Sequence, residues 1–291
     1  MNYPEHIDLH MHSTSSDGTD TPEELLSHVR DAGLELFALT DHDSVEGCRI
    51  MQKVLTEEDP KFLTGVEFGC KDELGKYHIL GYGYDPWAKT MEAAIHTGHL
   101  LRMHKLKKRL QLLKDSFEVS FSEEDLEWLY SMENPGKPHL AHLLVKDRYA
   151  ENKSEAFDRF LEKLEVVDDY LRPEQAIAAI LAGGGIPVLA HPSYGDGDQL
   201  IMGEKMDARL RHLLPMGLKG LEAYYSGFTD RIHEEVVDFA KKYDLYITAG
   251  SDYHGKNKLV ELGETGLKKA SEAEPGLRKF LETIQNKYVN Q

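Results

Sequence analysis

Short apolar runs alternate with helical patterns along this chain of 291 residues, and several of those runs end on histidine or aspartate. The run that leads into Asp8-Leu9-His10-Met11-His12-Ser13 is followed downstream by Thr40-Asp41-His42-Asp43, Ala190-His191-Pro192 and Ser251-Asp252-Tyr253-His254. Strands alternating with helices imply parallel β-α units, with functional residues gathered at the C-terminal ends of the strands. Alternate residues of a strand face the same side, so His10 and His12 can address one centre. Imidazole and carboxylate groups without a thiolate suit Zn, Mn or Fe. A single His-x-His is as often an ordinary surface or core pair, but four clusters, each after an apolar run, point to a shared metal site.

His6 to Met11 reads as the first strand. Thr21-Pro22-Glu23-Glu24 then starts a helix, with Thr21 as N-cap, Pro22 at N1 and Glu24 at N3, running to Asp31. Leu36 to Thr40 is the next strand, Ser44 opens a second helix, and Phe62 to Phe68 and Tyr77 to Tyr84 are further strands. After Asp85-Pro86 the pattern turns helical, with Leu100, Leu101, Leu106, Leu110 and Leu113 at helical spacing, and it breaks at Asn134-Pro135-Gly136-Lys137-Pro138. A helix around Ala156 to Leu164 completes this stretch. The alternation resumes with a helix over Pro173–Ala182, strands at Ile186–Ala190 and Gly220–Ala223, a helix over Thr229–Tyr243, a strand at Tyr246–Ala249 and a closing helix over Ala273–Lys287. The expected organisation is an α/β domain formed by residues 1–85 and 166–291, with a helical insertion at 86–165 beside it as lid and substrate-binding segment.

The formal net charge of −17 argues against a general nucleic-acid binder, so no long nucleic acid is expected as a partner. Bound divalent ions would still make the site locally positive for an anionic substrate. Arg102, Lys105, Lys107, Lys108 and Arg109 crowd one helix, either as a solvated face or with one or two leaning over the site. The two cysteines, Cys48 and Cys70, have no metal-type or redox-type spacing, which indicates reduced thiols and a cytoplasmic location. The N-terminus reads without a secretion signal, and no apolar run approaches a membrane span.

Read in order, the strand ends supply His10, His12, His42, Glu67, His78, His191, Asp252 and His254, and Asp17 lies just after the first strand. The combination of Asp8-Leu9-His10-Met11-His12-Ser13, Ser16-Asp17-Gly18, Thr40-Asp41-His42-Asp43, Gly65-Val66-Glu67, His78, Ala190-His191-Pro192 and Gly250-Ser251-Asp252-Tyr253-His254 closely resembles the polymerase and histidinol phosphatase (PHP) family of metal-dependent phosphoesterases. The resemblance covers nearly the full chain. It implies a distorted (β/α)7-type barrel with three divalent transition-metal ions at the strand C-termini. It also implies the ligands. His10, His12, Glu67 and Asp252 would hold one ion, Glu67 would bridge to a second completed by His78 and His191, and Asp17, His42 and His254 would hold the third.

The stand-alone phosphatases with a helical insertion are the most similar branch, and their substrates are nucleoside 3',5'-bisphosphates or a five-membered cyclic phosphate of a phosphorylated ribose. The resemblance makes Arg102 and the segment Gly136-Lys137-Pro138-His139 substrate contacts. His96, His99 and His104 stand where the nucleotide branch tends to place arginine, and histidine cannot grip phosphate bidentately. The expected reaction is attack on phosphorus by a metal-held hydroxide. His191, His254 and Asp252 are the candidate catalytic residues, with Lys137 and His139 near the substrate. Asp8 and Asp43 would orient ligand histidines, and Asp43 is also a candidate substrate contact. Tyr224 and Tyr225 either stack on a base or sugar or pack the barrel rim. The rival readings are an oligonucleotide exonuclease on the same site and a non-catalytic metal-bound regulatory module. The oligomeric state is left open.

Overall fold

The computed structural model describes residues 4–132, 135–164, 166, 170–195 and 199–288. Asn134, with which the expected break in the helical stretch begins, and Glu165, the expected end of the insertion, lie outside the described residues. Two compact units emerge, residues 1–95 with 171–291, and residues 96–170.

The first unit is built on a nearly closed seven-stranded sheet in the order β1 (Ile7–Asp8), β2 (Leu36–Leu39), β3 (Lys61–Asp72), β4 (Gly75–Tyr82), β5 (Ile186–Leu189), β6 (Gly220–Tyr225) and β7 (Tyr246–Gly250). The seam between the last strand and the first is bridged by backbone bonds from Leu9 N to Ala249 O (2.9 Å), Asp252 N to His10 O (2.8 Å) and His12 N to Tyr253 O (2.8 Å). Helices α1 (Pro22–Asp31), α2 (Glu46–Val54), α7 (Pro173–Ala182), α8 (Glu204–Leu213), α9 (Asp230–Lys242) and α10 (Pro275–Tyr288) belong to this unit. The α1 start follows the sequence expectation, because Thr21 and Glu24 form a reciprocal capping box with Pro22 in the first turn. Leu9, Leu63, Ile79, Val188, Leu221 and Phe280 are fully buried in one core, each side chain contributing about 1.5–3 kcal/mol of transfer free energy.

The structure departs from the sequence expectations in several places. The strands are not all parallel, since β4 runs antiparallel to both β3 and β5. Only Glu73 and Leu74 separate β3 from β4, a connection that permits a hairpin but no crossover. The reversal places His78 in the early half of β4, opposite Gly69, at the same end of the barrel as the C-termini of the other strands. The second correction is an added helix, α8, between β5 and β6, which buries Met206, Leu210 and Leu213. The second helix also starts at Glu46, with Ser44 Oγ accepting from Glu46 N.

The second unit is helical. It takes most of α3 (Lys89–Phe117), then α4 (Glu123–Ser131), α5 (Lys137–Lys146) and α6 (Lys153–Ala156), which runs into a π-helical turn at Phe157–Leu161. Its own core contains Leu106, Leu113, Leu129, Leu140, Leu144 and Phe160. The division falls at residue 95 rather than 85 because Met91 and Ala94, on the first turns of α3, pack in the barrel core. No helix among the described residues is long and apolar enough to cross a membrane.

Candidate metal centre

The strand ends converge on one carboxylate. Glu67 Oε1 lies 2.8 Å from His78 Nδ1 and 3.2 Å from His191 Nε2. Its other oxygen lies 3.2 Å from His10 Nε2, His12 Nε2 and His42 Nδ1. The histidines arrive from several pieces of local structure. His10 and His12 follow β1 at alternate positions and are fully buried. His42 follows β2 and is bridged to Glu67 of β3. Asp17 is brought in by a tight loop, in which Asp41 accepts from Ser13 N (2.7 Å), Ser13 Oγ (2.8 Å) and Ser16 Oγ (2.7 Å). A Cβ on Gly18 would fall 2.3 Å from the His12 carbonyl oxygen, so only glycine permits that loop. Asp43, His191 and Asp252 adopt positive φ, at 48°, 27° and 59°. Such strained backbone just beyond strand ends is characteristic of functional sites.

Three groups have donor atoms all within 4.8 Å of one another: His10, His12, Glu67 and Asp252; His42, Glu67 and His78; and His12, Asp17, His42 and His254. Glu67 belongs to two of them. His191 touches Glu67 but falls outside these groups, and His42 takes the place beside His78 that the resemblance gives to His191.

The buried donors lack partners of the ordinary kind. His10 Nε2, both ring nitrogens of His12, His42 Nδ1 and Asp17 Oδ1 make no hydrogen bond. A buried polar atom left this way costs about 1–3 kcal/mol. Divalent ions among these atoms would satisfy them together, so the residues present fit the metal that the motifs imply. Other ring nitrogens are already committed and fix the tautomers. His10 Nδ1 lies 2.8 Å from Glu222 Oε1, and His254 Nδ1 donates to the Asp252 carbonyl at 2.9 Å. Both rings therefore keep Nε2 directed at the centre.

The charge states follow from burial and neighbours. Burial raises the Glu67, Asp17 and Asp252 carboxyls, yet His42 beside Glu67 and Asp17, and His10 beside Asp252, hold all three well below the usual range. All three are ionised and available as metal ligands. Burial pushes the His42 imidazole down to about 4. It also lowers His12, but contacts with Asp252 and Glu67 more than offset this and hold it up at about 9.

Glu222 and Lys258 support the centre without having been singled out in the sequence, and Tyr225 does so in a role other than the stacking or rim packing expected of it. Glu222, fully buried in β6, accepts from His10 and from the His191 backbone N–H (2.8 Å). Tyr225 donates to Asp252 Oδ2 at 2.8 Å, and Lys258 Nζ contacts the same oxygen. A lone acid inside the otherwise apolar run Gly-Leu-Glu-Ala-Tyr-Tyr was the available signal for Glu222. Tyr225 and Tyr224 are both buried, and Tyr224 Oη accepts from Glu274 N, so the structure gives them packing and hydrogen-bonding roles rather than an open stacking face. Asp8 does not orient a histidine ring. It accepts from the backbone of His10 (3.2 Å), Ser251 (3.0 Å) and Gly263 (2.9 Å), tying together three chain segments beneath the site. Asp43 is buried and accepts from Gly69 N at 3.2 Å.

Arg102, Lys137 and His139 lie in the helical unit. Arg102 comes near the start of α5, where a Cβ on Gly136 would be 3.7 Å from Arg102 Nη1. His139 Nδ1 accepts from Gly136 N at 3.0 Å and so caps that helix. Lys105, one of the crowded basic residues, is buried with Nζ 3.4 Å from the centre of the Tyr170 ring.

Residues 8–171 match the family model described as the PHP domain, and the chain belongs to that family. It is 32% identical over 257 residues to the phosphoribosyl 1,2-cyclic phosphate 1,2-diphosphodiesterase of Eggerthella lenta, covering 86% of this chain and 94% of that protein. It is 28% identical to the 3',5'-nucleoside bisphosphate phosphatase of Chromobacterium violaceum (85% and 87% covered) and 28% identical to a 5'-3' exoribonuclease of Haemophilus influenzae (88% and 93% covered). A solved structure from Bifidobacterium adolescentis, named as a candidate metal-dependent phosphoesterase, superposes with a TM-score of 0.81 at 28% identity, covering 96% of this chain and 97% of that one. The chain is a hydrolase of phosphoric ester bonds from a metal-dependent family.

Proposed function

We propose that this enzyme uses three divalent ions, of Mn, Fe or Zn, to hydrolyse a small metabolite carrying two phosphate positions. Its substrate class is a phosphorylated sugar cyclic phosphate, such as 5-phosphoribosyl 1,2-cyclic phosphate, or a nucleoside 3',5'-bisphosphate. The observation that carries this reading is the convergence of five histidines on Glu67, at the junction of overlapping ligand groups. His10, His12, Glu67 and Asp252 would hold one ion. Glu67 with His78 and His42 or His191 would hold a second, and Asp17, His42 and His254 a third. Such ions make water a nucleophile near neutral pH and draw charge from phosphoryl oxygens. The buried His10, His12 and Glu67 form a floor. His78, Asp17, His191 and His254 stand on the open side, with side chains 36%, 18%, 16% and 14% exposed, where a phosphoryl group can approach. His191 and His254 are there also the candidates to protonate the leaving oxygen. Asp252, ionised and held by Tyr225 and Lys258, acts as a ligand rather than a base.

The substrate-contact role of Arg102, Lys137 and His139 comes from the sequence resemblance, and the three ligand groups support the three-ion count. The cytoplasmic location rests on the two free, buried cysteines. A phosphate-release screen on Mn-loaded protein tests the reading, comparing 5-phosphoribosyl 1,2-cyclic phosphate, adenosine 3',5'-bisphosphate and AMP. The relative from Haemophilus influenzae favours a second reading, exonucleolytic cleavage of RNA, and the net charge of −17 weighs against it. A 5'-phosphorylated oligoribonucleotide in the same screen separates the two.

A further inference from the structure

Strand β6 contains a register shift. Leu221 pairs with Ile247 and Glu222 with Thr248, but Tyr224 pairs with Ala249 and Tyr225 with Gly250, leaving Ala223 as an extra residue. In a regular strand, Glu222 and Tyr224 would share a face and Tyr225 would point away. The extra residue reverses that phase, as a bulge does. Glu222 and Tyr225 both reach the metal centre, while the Tyr224 ring lies 4.6 Å from His233 and its hydroxyl accepts from Glu274.

The two inward residues hold two members of one ligand group. Glu222 fixes the His10 ring through Nδ1, leaving Nε2 for the centre. Tyr225 takes Asp252 Oδ2, and Lys258 takes the same oxygen while donating to Tyr225 Oη at 3.1 Å. Asp252 Oδ1 is thereby the oxygen left facing His10 Nε2 (3.5 Å) and His12 Nε2 (3.4 Å). The carboxylate is left with one oxygen toward the ligand group, the one that would hold an ion, and the imidazole with one tautomer. Among the described residues, neither Glu222 nor Tyr225 has a side-chain hydrogen bond to Asp17, His42, His78 or His254; Glu222 also accepts from the backbone N–H of His191, a residue outside the three ligand groups, without engaging its ring.

We propose that the β6 bulge is a positioning element for a single ion, the one held by His10, His12, Glu67 and Asp252, with Glu222 and Tyr225 as its positioning residues. The proposal rests on the metal reading above. It is tested by titrating Mn into metal-stripped wild type, Glu222→Gln and Tyr225→Phe, following free Mn by its electron paramagnetic resonance signal and recording the melting temperature of each stripped protein. Tyr225→Phe removes one oxygen atom and keeps the test alive if Glu222→Gln does not fold. The expected result is one class of ion bound about ten- to a hundredfold more weakly, the remaining ions bound as in wild type, and stripped proteins that melt together. Uniform weakening of all ions with a lower melting temperature would make the two residues structural and overturn the proposal. Unchanged binding in both variants would overturn it while leaving the metal reading intact. A wild type that takes up no Mn would bring down the metal reading and the proposal with it.

Discussion

Replacing Glu67 with Gln keeps the shape of the side chain and removes its charge and one acceptor oxygen. In the native site Oε1 serves His78 and His191, and Oε2 serves His10, His12 and His42. An amide can turn an oxygen to only one of those sides, and it presents N–H donors to the other. Glu67 is a member of two ligand groups, so both lose a charged partner. Taking about 1.5–3 kcal/mol for each charged interaction lost, two groups lose about 3–6 kcal/mol, or roughly a hundred- to ten-thousandfold in binding and turnover. Asp17→Asn provides the comparison, because Asp17 belongs to one group and should affect one ion. The assay is metal content by mass spectrometry after gel filtration, with phosphate release measured on the same samples. Glu67→Gln with full metal content and turnover within threefold of wild type would refute the bridging assignment.

Three other outcomes follow from the same structure. A Cβ on Gly250 would lie 2.2 Å from His10 Cβ and 2.4 Å from Glu222 Oε1, so Gly250→Ala should lower stability by about 1–3 kcal/mol and weaken ion retention; a variant with wild-type melting temperature and metal content would contradict this. Burial pushes the Cys48 thiol up to about 12, and Cys70 is also buried, so a thiol reagent at pH 8 should label neither until denaturant is added; rapid labelling of the native protein would show the packing to be wrong. Doubly phosphorylated substrates should exceed their single-phosphate analogues by at least about tenfold in kcat/KM, or about 1.4 kcal/mol, and Arg102→Ala should erase much of that advantage while sparing a nitrophenyl phosphate; equal kinetics on all of them would dispose of a second anion contact.

Much of the candidate site was legible because its candidate ligands sit just past apolar runs, where chain order alone locates a strand end. His10, His12, His42 and Asp252 all follow this rule, and Thr21 through Glu24 announces its helix by local chemistry. What escaped depends on long-range pairing. The run from Tyr77 to Tyr84 reads the same in either direction, and the reversal of β4 is decided by the two-residue link after Asp72, with Gly75 at a φ of 123°. Glu222 stands 212 residues from the ring it holds, and no local pattern pairs it with His10. The bulge at Ala223 leaves no trace in composition, because it is defined by register against β7. Helix α8 was readable in principle, since Met206, Leu210 and Leu213 lie on one helical face after Gly203.

The most direct test of a three-ion phosphoesterase centre is a reconstitution titration. Metal-stripped protein receives increasing equivalents of Mn, and phosphate release from 5-phosphoribosyl 1,2-cyclic phosphate and adenosine 3',5'-bisphosphate is followed at each point. The expected result is no turnover without metal and a plateau near three equivalents per chain on at least one of these substrates. Full activity in the stripped protein, or a plateau at one equivalent, would contradict it.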